Sequence, residues 1–299
     1  MDRLHLINVF VSVVDAGGFA GAARKLGLSP PSVTRAINEL ESHLGVSLLI
    51  RTTRVVRVTE AGARYADDCR NVLSAMANAN AAVTGMHGAP SGVLTITAPV
   101  LFGSRVVTPV LTEYLQRYPE VAASCYFLDR VVNMMEEGVD VAVRIGELPD
   151  SSMRAIRVGR VRRLLVASPA YLERCGVPLT PEDLVEHALV STNGLAPAGE
   201  WRLRIGSKER PFKLNARMAT TTNESALRAA MDGFGIARLL SYQVAEELAA
   251  GHVVTVLDEY EPHPLPVHVV HHEGSRASMK TRAFVDLAIE RLRHHPALT

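Results

Sequence analysis

Four polar side chains crowd one short stretch, PPSVTRAINEL: Ser32, Thr34, Arg35 and Asn38. Hydroxyl, guanidinium and carboxamide groups are the donors and acceptors that meet base edges and phosphates in a major groove. Pro30 and Pro31 open the same stretch. A basic tract follows at Arg51-Thr52-Thr53-Arg54, where two guanidinium groups suit a phosphate backbone or a neighbouring minor groove. The chemistry suggested is recognition of a polyanion.

Two helices meeting at a tight corner must position these groups. Ala22, Ala23 and Leu26 line one face of the first, Gly27 breaks it, and Leu28 plugs the corner. Ser29 can cap the next helix, and Pro30 is tolerated at its first position because the missing N–H had no partner there. Val33, Ile37, Leu40 and Leu44 recur at spacings of four, three and four, a buried amphipathic stripe, and Gly45 supplies a left-handed stop. Small Ala23, turning Gly27 and locking Val33 make this the helix-turn-helix arrangement, with the polar groups opposite the stripe. An ordinary helix pair with a solvated polar face satisfies the same spacing.

Leu6, Val9, Phe10, Val13 and Val14 form one face of an earlier helix ending near Gly17-Gly18, a roof for the pair. After Gly45, VSLLIRTTRVVRVT reads as a short hairpin with the basic tract at its tip, a wing beside the second helix; a solvated loop is the alternative. Thr59 then caps a long helix running to about His87. Along it Tyr65, Cys69, Val72, Met76, Ala79, Val83 and Met86 alternate at spacings of four and three, a seam that asks for a partner helix. Packing on its own domain would absorb the same stripe. The length favours a dimer, which presents two recognition helices to a palindromic site.

At 299 residues the chain has material for two domains or more. Aromatics, at 5%, are too scarce for a base-stacking single-strand platform. A net charge of +1 excludes a uniformly basic coat, yet residues 1–59 hold seven Lys/Arg against four acids, a local +3. The first residues read as a core helix and not an export signal, and no window approaches a membrane span. Cys69, Cys125 and Cys175 are far apart, as in a reducing cytoplasm, and read as buried bystanders more than as a redox switch.

Residues 85–92, GMHGAPSG, are rich in helix breakers and read as a linker. Beyond it, strand-like runs at 93–98, 121–128, 139–145 and 163–168 alternate with helical patterns at 104–118 and 130–137. That predicts α/β with a mostly parallel sheet. A second set follows at 188–192, 224–232, 235–239, 241–250, 252–257 and 266–272, and a helix from Met279 to Arg293 closes the chain. Two α/β lobes fit this length.

The stretch AARKLGLSPPSVTRAINELESHLGVSLLIRTTRVVRVTEAG resembles the N-terminal signature of LysR-type transcriptional regulators. YPEV, EGVDVAVRIGELPDSSMRA, ASPAYLERCG and GFGIARLLSYQVAEELAAGHVV resemble the effector domain of the same family, so the likeness spans essentially the full chain. It implies an all-α winged helix-turn-helix over 1–59, a dimerising linker helix and hinge over 60–90, and a two-lobed, periplasmic-binding-protein-like α/β effector domain over 91–299. Lobe I would comprise about 91–163 and 267–299, and lobe II about 164–266, with crossings near 161–166 and 264–268 and a small molecule in the cleft.

The resemblance implies DNA-facing positions at Pro30, Pro31, Ser32, Thr34 and Arg35, with Arg51 and Arg54 on the wing beside Thr53, and Asn38 further along the helix. It places the effector cleft on Ala98, Pro99, Val100 and Leu101, on Leu128 and Asp129, on Arg144, on Thr222, Asn223 and Glu224, and on Gly235 and Ile236. The helix starts after Pro99 and at Asn223 would offer N–H groups to an anionic or carbonyl-bearing ligand, an organic acid or an aromatic. The sequence departs from the family at Pro30, where a polar residue is common, and at Arg238 and Leu240, where an apolar residue and a proline are common. His271-His272 likewise replaces a frequent Tyr-Pro pair.

Among the histidines, His263, His268, His271 and His272 form no metal-ligand spacing, and neighbours on a strand point to opposite faces. No nucleophile elbow, phosphate loop or dinucleotide fingerprint occurs, so no enzyme, metal or cofactor is expected. A solute-binding protein would explain two lobes but not the first 90 residues. The expectation is a cytoplasmic homodimeric or tetrameric transcription factor. Its partners would be an interrupted palindrome in double-stranded DNA, a small-molecule effector and RNA polymerase, with no membrane involved.

Overall fold

The computed structural model describes residues 2–51, 56–84, 89–149, 153–192, 198–272 and 278–298. Thr53, Arg54 and Met86 lie outside these, as do the side chains of Arg51, Ala79 and Val83. The chain divides into two compact units, 1–88 and 89–299.

In the first unit α1 (Arg3–Asp15) is capped by Asp2, whose carboxylate accepts from the Leu4 N–H at 3.3 Å. α2 (Phe19–Leu26) ends on Gly27 at φ +66°, a left-handed conformation that glycine adopts without a Cβ clash. α3 (Pro30–Leu44) starts on Ser29, whose hydroxyl accepts from the Ser32 N–H at 3.3 Å. β1 (Leu49–Arg51) pairs antiparallel with β2 (Val56–Val58), and α4 (Glu60–Thr84) follows. Thr59 caps α4 by accepting from the Gly62 N–H at 2.9 Å. α1 roofs the corner: Val9, Phe10, Val13, Val33, Ile37, Leu40 and Leu49 close a single core.

The stripe along α4 is divided. Ala66 and Cys69 are buried in that core, and the Tyr65 ring lies 5.8 Å from Phe10. Tyr65 and Cys69 are therefore spent on their own domain, because α1 packs against the first turns of α4. Val72 and Met76 are about half exposed.

The second unit begins with β3 (Gly92–Ala98). A continuous helical run follows: α5 (Val100–Phe102), a π-helical turn at Gly103–Val107, and α6 (Thr108–Arg117). Gly103 sits where the Phe127 ring crosses, and a side chain there would strike it. β4 (Val121–Phe127), β5 (Val141–Ile145) and β6 (Arg154–Val161) complete the first pass through lobe I. After Arg162 the chain enters lobe II: β7 (Arg163–Ala167), α7 (Pro169–Cys175) and β8 (Leu189–Ser191). The hairpin of β9 (Ala198–Ile205) and β10 (Lys208–Asn215) comes next, then β11 (Met218–Ala219) and α8 (Asn223–Met231). β12 (Ile236–Leu240), α9 (Ser241–Ala249) and β13 (Val254–Val256) finish the lobe. β14 (Leu265–His271) and α10 (Met279–Arg293) return to lobe I.

Each lobe holds a five-stranded sheet, ordered β4-β3-β5-β14-β6 and β11-β8-β12-β7-β13. Both are mixed, which corrects the expected mostly parallel sheet. β3 runs parallel to β4 and β5, but β14 is antiparallel to β5 and β6, because it enters from the other lobe. β7 is likewise antiparallel to β12 and β13.

Residues 130–137 are not a helix. Asn133 Oδ1 accepts from the Met135 N–H at 3.2 Å, and Glu137 takes Arg130 at 2.9 and 2.7 Å, so side chains close a series of turns. β6 and the β9–β10 hairpin are strands that the sequence pattern did not announce.

Candidate functional site

On α3, Val33, Ala36, Ile37 and Leu40 are fully buried, while Pro30, Pro31, Ser32, Arg35 and Asn38 are exposed. One face is thus fixed to α1 and α2 and the other carries the polar groups outward. The Ser32 hydroxyl shares a 2.8 Å hydrogen bond with that of Ser29, and Thr34 Oγ1 donates to the Pro30 carbonyl at 3.0 Å. Both hydroxyls are therefore held in place with acceptor lone pairs to spare. Arg35 has no hydrogen-bond or ionic partner among the described residues, so its donors are free for an outside acceptor.

Glu41, on the same helix, accepts from the Leu48 and Leu49 N–H groups at 2.7 and 3.0 Å. This fixes the start of β1 against α3, and with it the direction from which the hairpin leaves. Nothing in the sequence around Glu41 marks it for this role, since Glu39 two residues earlier is an acid on the same helix.

In the second unit a cleft of about 280 Å³ lies where the lobes meet. Lobe I contributes Pro99, Asp129, Ile145 and Leu265; lobe II contributes Arg163, Thr192, Asn223, Arg238 and Gln243. Of the expected positions, Pro99, Asp129 and Asn223 line it. Asp129 Oδ1 accepts from the Val100 N–H at 3.0 Å, so the chain itself caps the helix start after Pro99. Thr222 caps α8 by accepting from the Ser225 N–H at 3.2 Å, and Glu224 is exposed beside it.

The other expected cleft residues do not line it. Ala98, Leu101 and Ile236 are core residues, Gly235 is buried beneath the Ala188 carbonyl, and Val100 is exposed. Leu128 packs on a satellite core under the 130–137 turns. Arg144 opens on a different, apolar cavity of about 300 Å³ beside Val132, Met134 and Met153, because alternate residues of β5 face opposite sides and Ile145 takes the cleft side. Arg163 and Arg238 also line the cleft; Arg238 is a charge inside the apolar strand IARLL, a signal that points to it, whereas Arg163 opens β7 after Arg160 and Arg162 and carries no such signal.

Arg238 lies 5.5 Å from the centre of the buried Trp201 ring. Burial, with Arg163 adding, lowers its pKa to about 10. Burial likewise lowers that of Arg163. Cys125 and Cys175 are exposed, which corrects the expectation of buried thiols, while Cys69 is buried. Among the described residues no cluster of His, Cys, Asp or Glu is arranged to hold a metal, and no helix is long and apolar enough to cross a membrane.

A helix-turn-helix unit joined to two α/β lobes with a cleft between them defines a ligand-responsive DNA-binding protein. The description "Bacterial regulatory helix-turn-helix protein, lysR family" matches residues 4–63, and "LysR substrate binding domain" matches residues 87–293. The chain belongs to the LysR family of transcriptional regulators. The regulator CrgA of Neisseria meningitidis (serogroup C) is 31% identical over 96% of this chain and 96% of its own length. DmlR of Escherichia coli K12 is 32% identical over 99% and 97%. Among solved structures, CrgA of N. meningitidis superposes with a TM-score of 0.62 at 30% identity, covering 96% of this chain and 98% of that one. The Vibrio cholerae virulence activator AphB gives 0.61 at 27% identity, covering 96% and 99%. The protein is a DNA-binding transcriptional regulator with an effector-binding domain, and not an enzyme.

Proposed function

We propose that the outward face of α3 reads duplex DNA in the major groove, with Ser32, Thr34, Arg35 and Asn38 toward base edges and phosphates, and Pro30 and Pro31 setting the helix entry. Arg51, Thr53 and Arg54 act from the wing on the backbone. The single observation that carries this reading is Arg35, exposed and without a partner among the described residues, on a helix whose opposite face buries Val33, Ala36, Ile37 and Leu40. Two copies of the chain, paired through α4, present two such helices to an interrupted palindrome; exposed Val72 and Met76 support that pairing. Higher assembly to a tetramer, contact with RNA polymerase and a cytoplasmic setting complete the reading.

The effector is a small molecule held between the lobes, and its unequal affinity for two lobe arrangements shifts the placement of the DNA-binding pairs. A mobility-shift assay on the upstream intergenic DNA, with sedimentation of the free protein, tests this. A dimer or tetramer that retards its own DNA and not a scrambled duplex is expected. A monomer indifferent to both would overturn it.

A further inference from the structure

The cleft holds two guanidinium groups, Arg163 and Arg238, that form no ion pair among the described residues. Arg163 of β7 stands opposite Leu240 of β12 in the antiparallel register, so Arg163 and Arg238 occupy diagonal positions on one face of the sheet. The positive charge of Arg163 acts on Arg238, adding to the burial that lowers its pKa. Neither has a carboxylate within ion-pair distance among the described residues. The Arg163 guanidinium reaches only the His263 carbonyl, at 3.5 Å, with Glu209 as its acidic neighbour. Arg238 has the Trp201 ring behind it and Arg163 beside it. The acid in the lining, Asp129, comes from the other lobe and is engaged by the Val100 N–H. Two guanidiniums and one carboxylate leave the lining with a single positive charge. Pro99, Ile145 and Leu265 supply an apolar wall across the cleft.

From this arrangement we infer that the effector is a small carboxylic acid bound as its anion, with the carboxylate gripped between Arg163 and Arg238 and the remainder against the Pro99–Ile145–Leu265 wall. Planar guanidinium forks match a carboxylate with paired hydrogen bonds, and a monoanion cancels the charge of the lining. Bound there, it screens the repulsion between the two arginines and draws lobe I onto lobe II. The inference rests on the reading of the cleft as the effector site.

The test is thermal shift on the full-length protein with acids and their neutral amides at matched ionic strength: propionate and propionamide, benzoate and benzamide, malate and malamide, plus inorganic phosphate. Acids should raise the melting temperature and amides should not. Arg238→Met should weaken the best acid at least tenfold while raising the melting temperature of the ligand-free protein, since a repulsion is gone. Arg163→Gln should weaken the same acid and serves if the first variant fails to fold. Amides as effective as acids, phosphate as effective as the acids, or no acid response that the substitutions remove would each overturn the inference. Mobility shift on the wild type separates the two levels: DNA bound but acids ignored sinks only the carboxylate clamp, whereas DNA unbound sinks the regulatory reading itself.

Discussion

Arg162 and Glu261, on the two segments that cross between the lobes, are joined by paired hydrogen bonds of 2.8 and 2.5 Å. The Arg162 N–H also donates to Ser241 Oγ at 3.1 Å, and the Ser241 N–H to the Arg162 carbonyl at 2.8 Å. The crossings are thereby tied to each other and to the start of α9. The Arg162 pKa is raised, chiefly by the hydrogen bonds it donates to Glu261.

Glu261→Gln should loosen this latch. Arg162 is half exposed, so solvent screening limits the loss to about 1 kcal/mol. Differential scanning calorimetry of the full chain should show a drop of a few degrees in the transition of the second unit. An unchanged transition would mean that the pair contributes nothing to the crossing.

Lys280 Nζ donates to Asp140 Oδ2 at 3.0 Å and to the Val93 carbonyl, and the same carboxylate oxygen accepts from the Thr95 N–H at 2.9 Å. Lys280 is 6% exposed, so this charge staples α10 to β3 from inside. Lys280→Met leaves a partly buried carboxylate without its counter-ion, held by the Thr95 N–H, and should cost about 3 kcal/mol in urea unfolding. Adding Asp140→Asn should recover part of that. A double variant as unstable as the sum of the singles would deny the coupling.

Glu113 receives Arg291 at 2.8 and 2.7 Å and also bonds Arg117. Arg291 first, then Arg117, holds its carboxyl at about 2 instead of the ordinary 4.5. A folded pKa below the unfolded one means that the stabilisation is complete above pH 4.5 and drains away as the pH falls toward 2. Melting curves of wild type and Glu113→Gln should therefore differ at neutral pH and converge across that interval. A gap that stays constant with pH would refute the linkage.

Leu40 is 1% exposed at the junction of α3 and α1. Leu40→Ala should cost about 2–5 kcal/mol in the first unit through transfer and cavity terms. Circular dichroism and proteolysis should report loss of that unit first, and an unaltered melting temperature would remove Leu40 from the core.

The DNA-binding end was legible because local rules decide it. Ser29, Pro30, Gly27 and Gly45 each act on the residues next to them, and the Val33-Ile37-Leu40 period is set by one helix. The strand direction of β14 was not legible, since it depends on where the chain has earlier laid down β5 and β6. The 130–137 segment carries apolar residues at helical spacing, but Asn133 and Glu137 offered the backbone stronger local partners. Pro99, Asp129 and Asn223 stand in or beside family-like motifs and line the cleft. Arg163 and Arg238 were not legible as a pair, because they become neighbours only when β7 and β12 pair. Tyr65 and Cys69 kept perfect seam spacing while packing on α1, and period alone cannot say which surface a stripe meets.

The most direct measurement is fluorescence anisotropy of wild type and Arg35→Ala on the upstream intergenic duplex and on a scrambled duplex, over a salt series. The account predicts that wild type separates the two duplexes. It predicts that Arg35→Ala loses about 1–3 kcal/mol on the intergenic duplex and little on the scrambled one. Equal losses on both, with the variant still folded, would contradict a base-reading role for the outward face of α3.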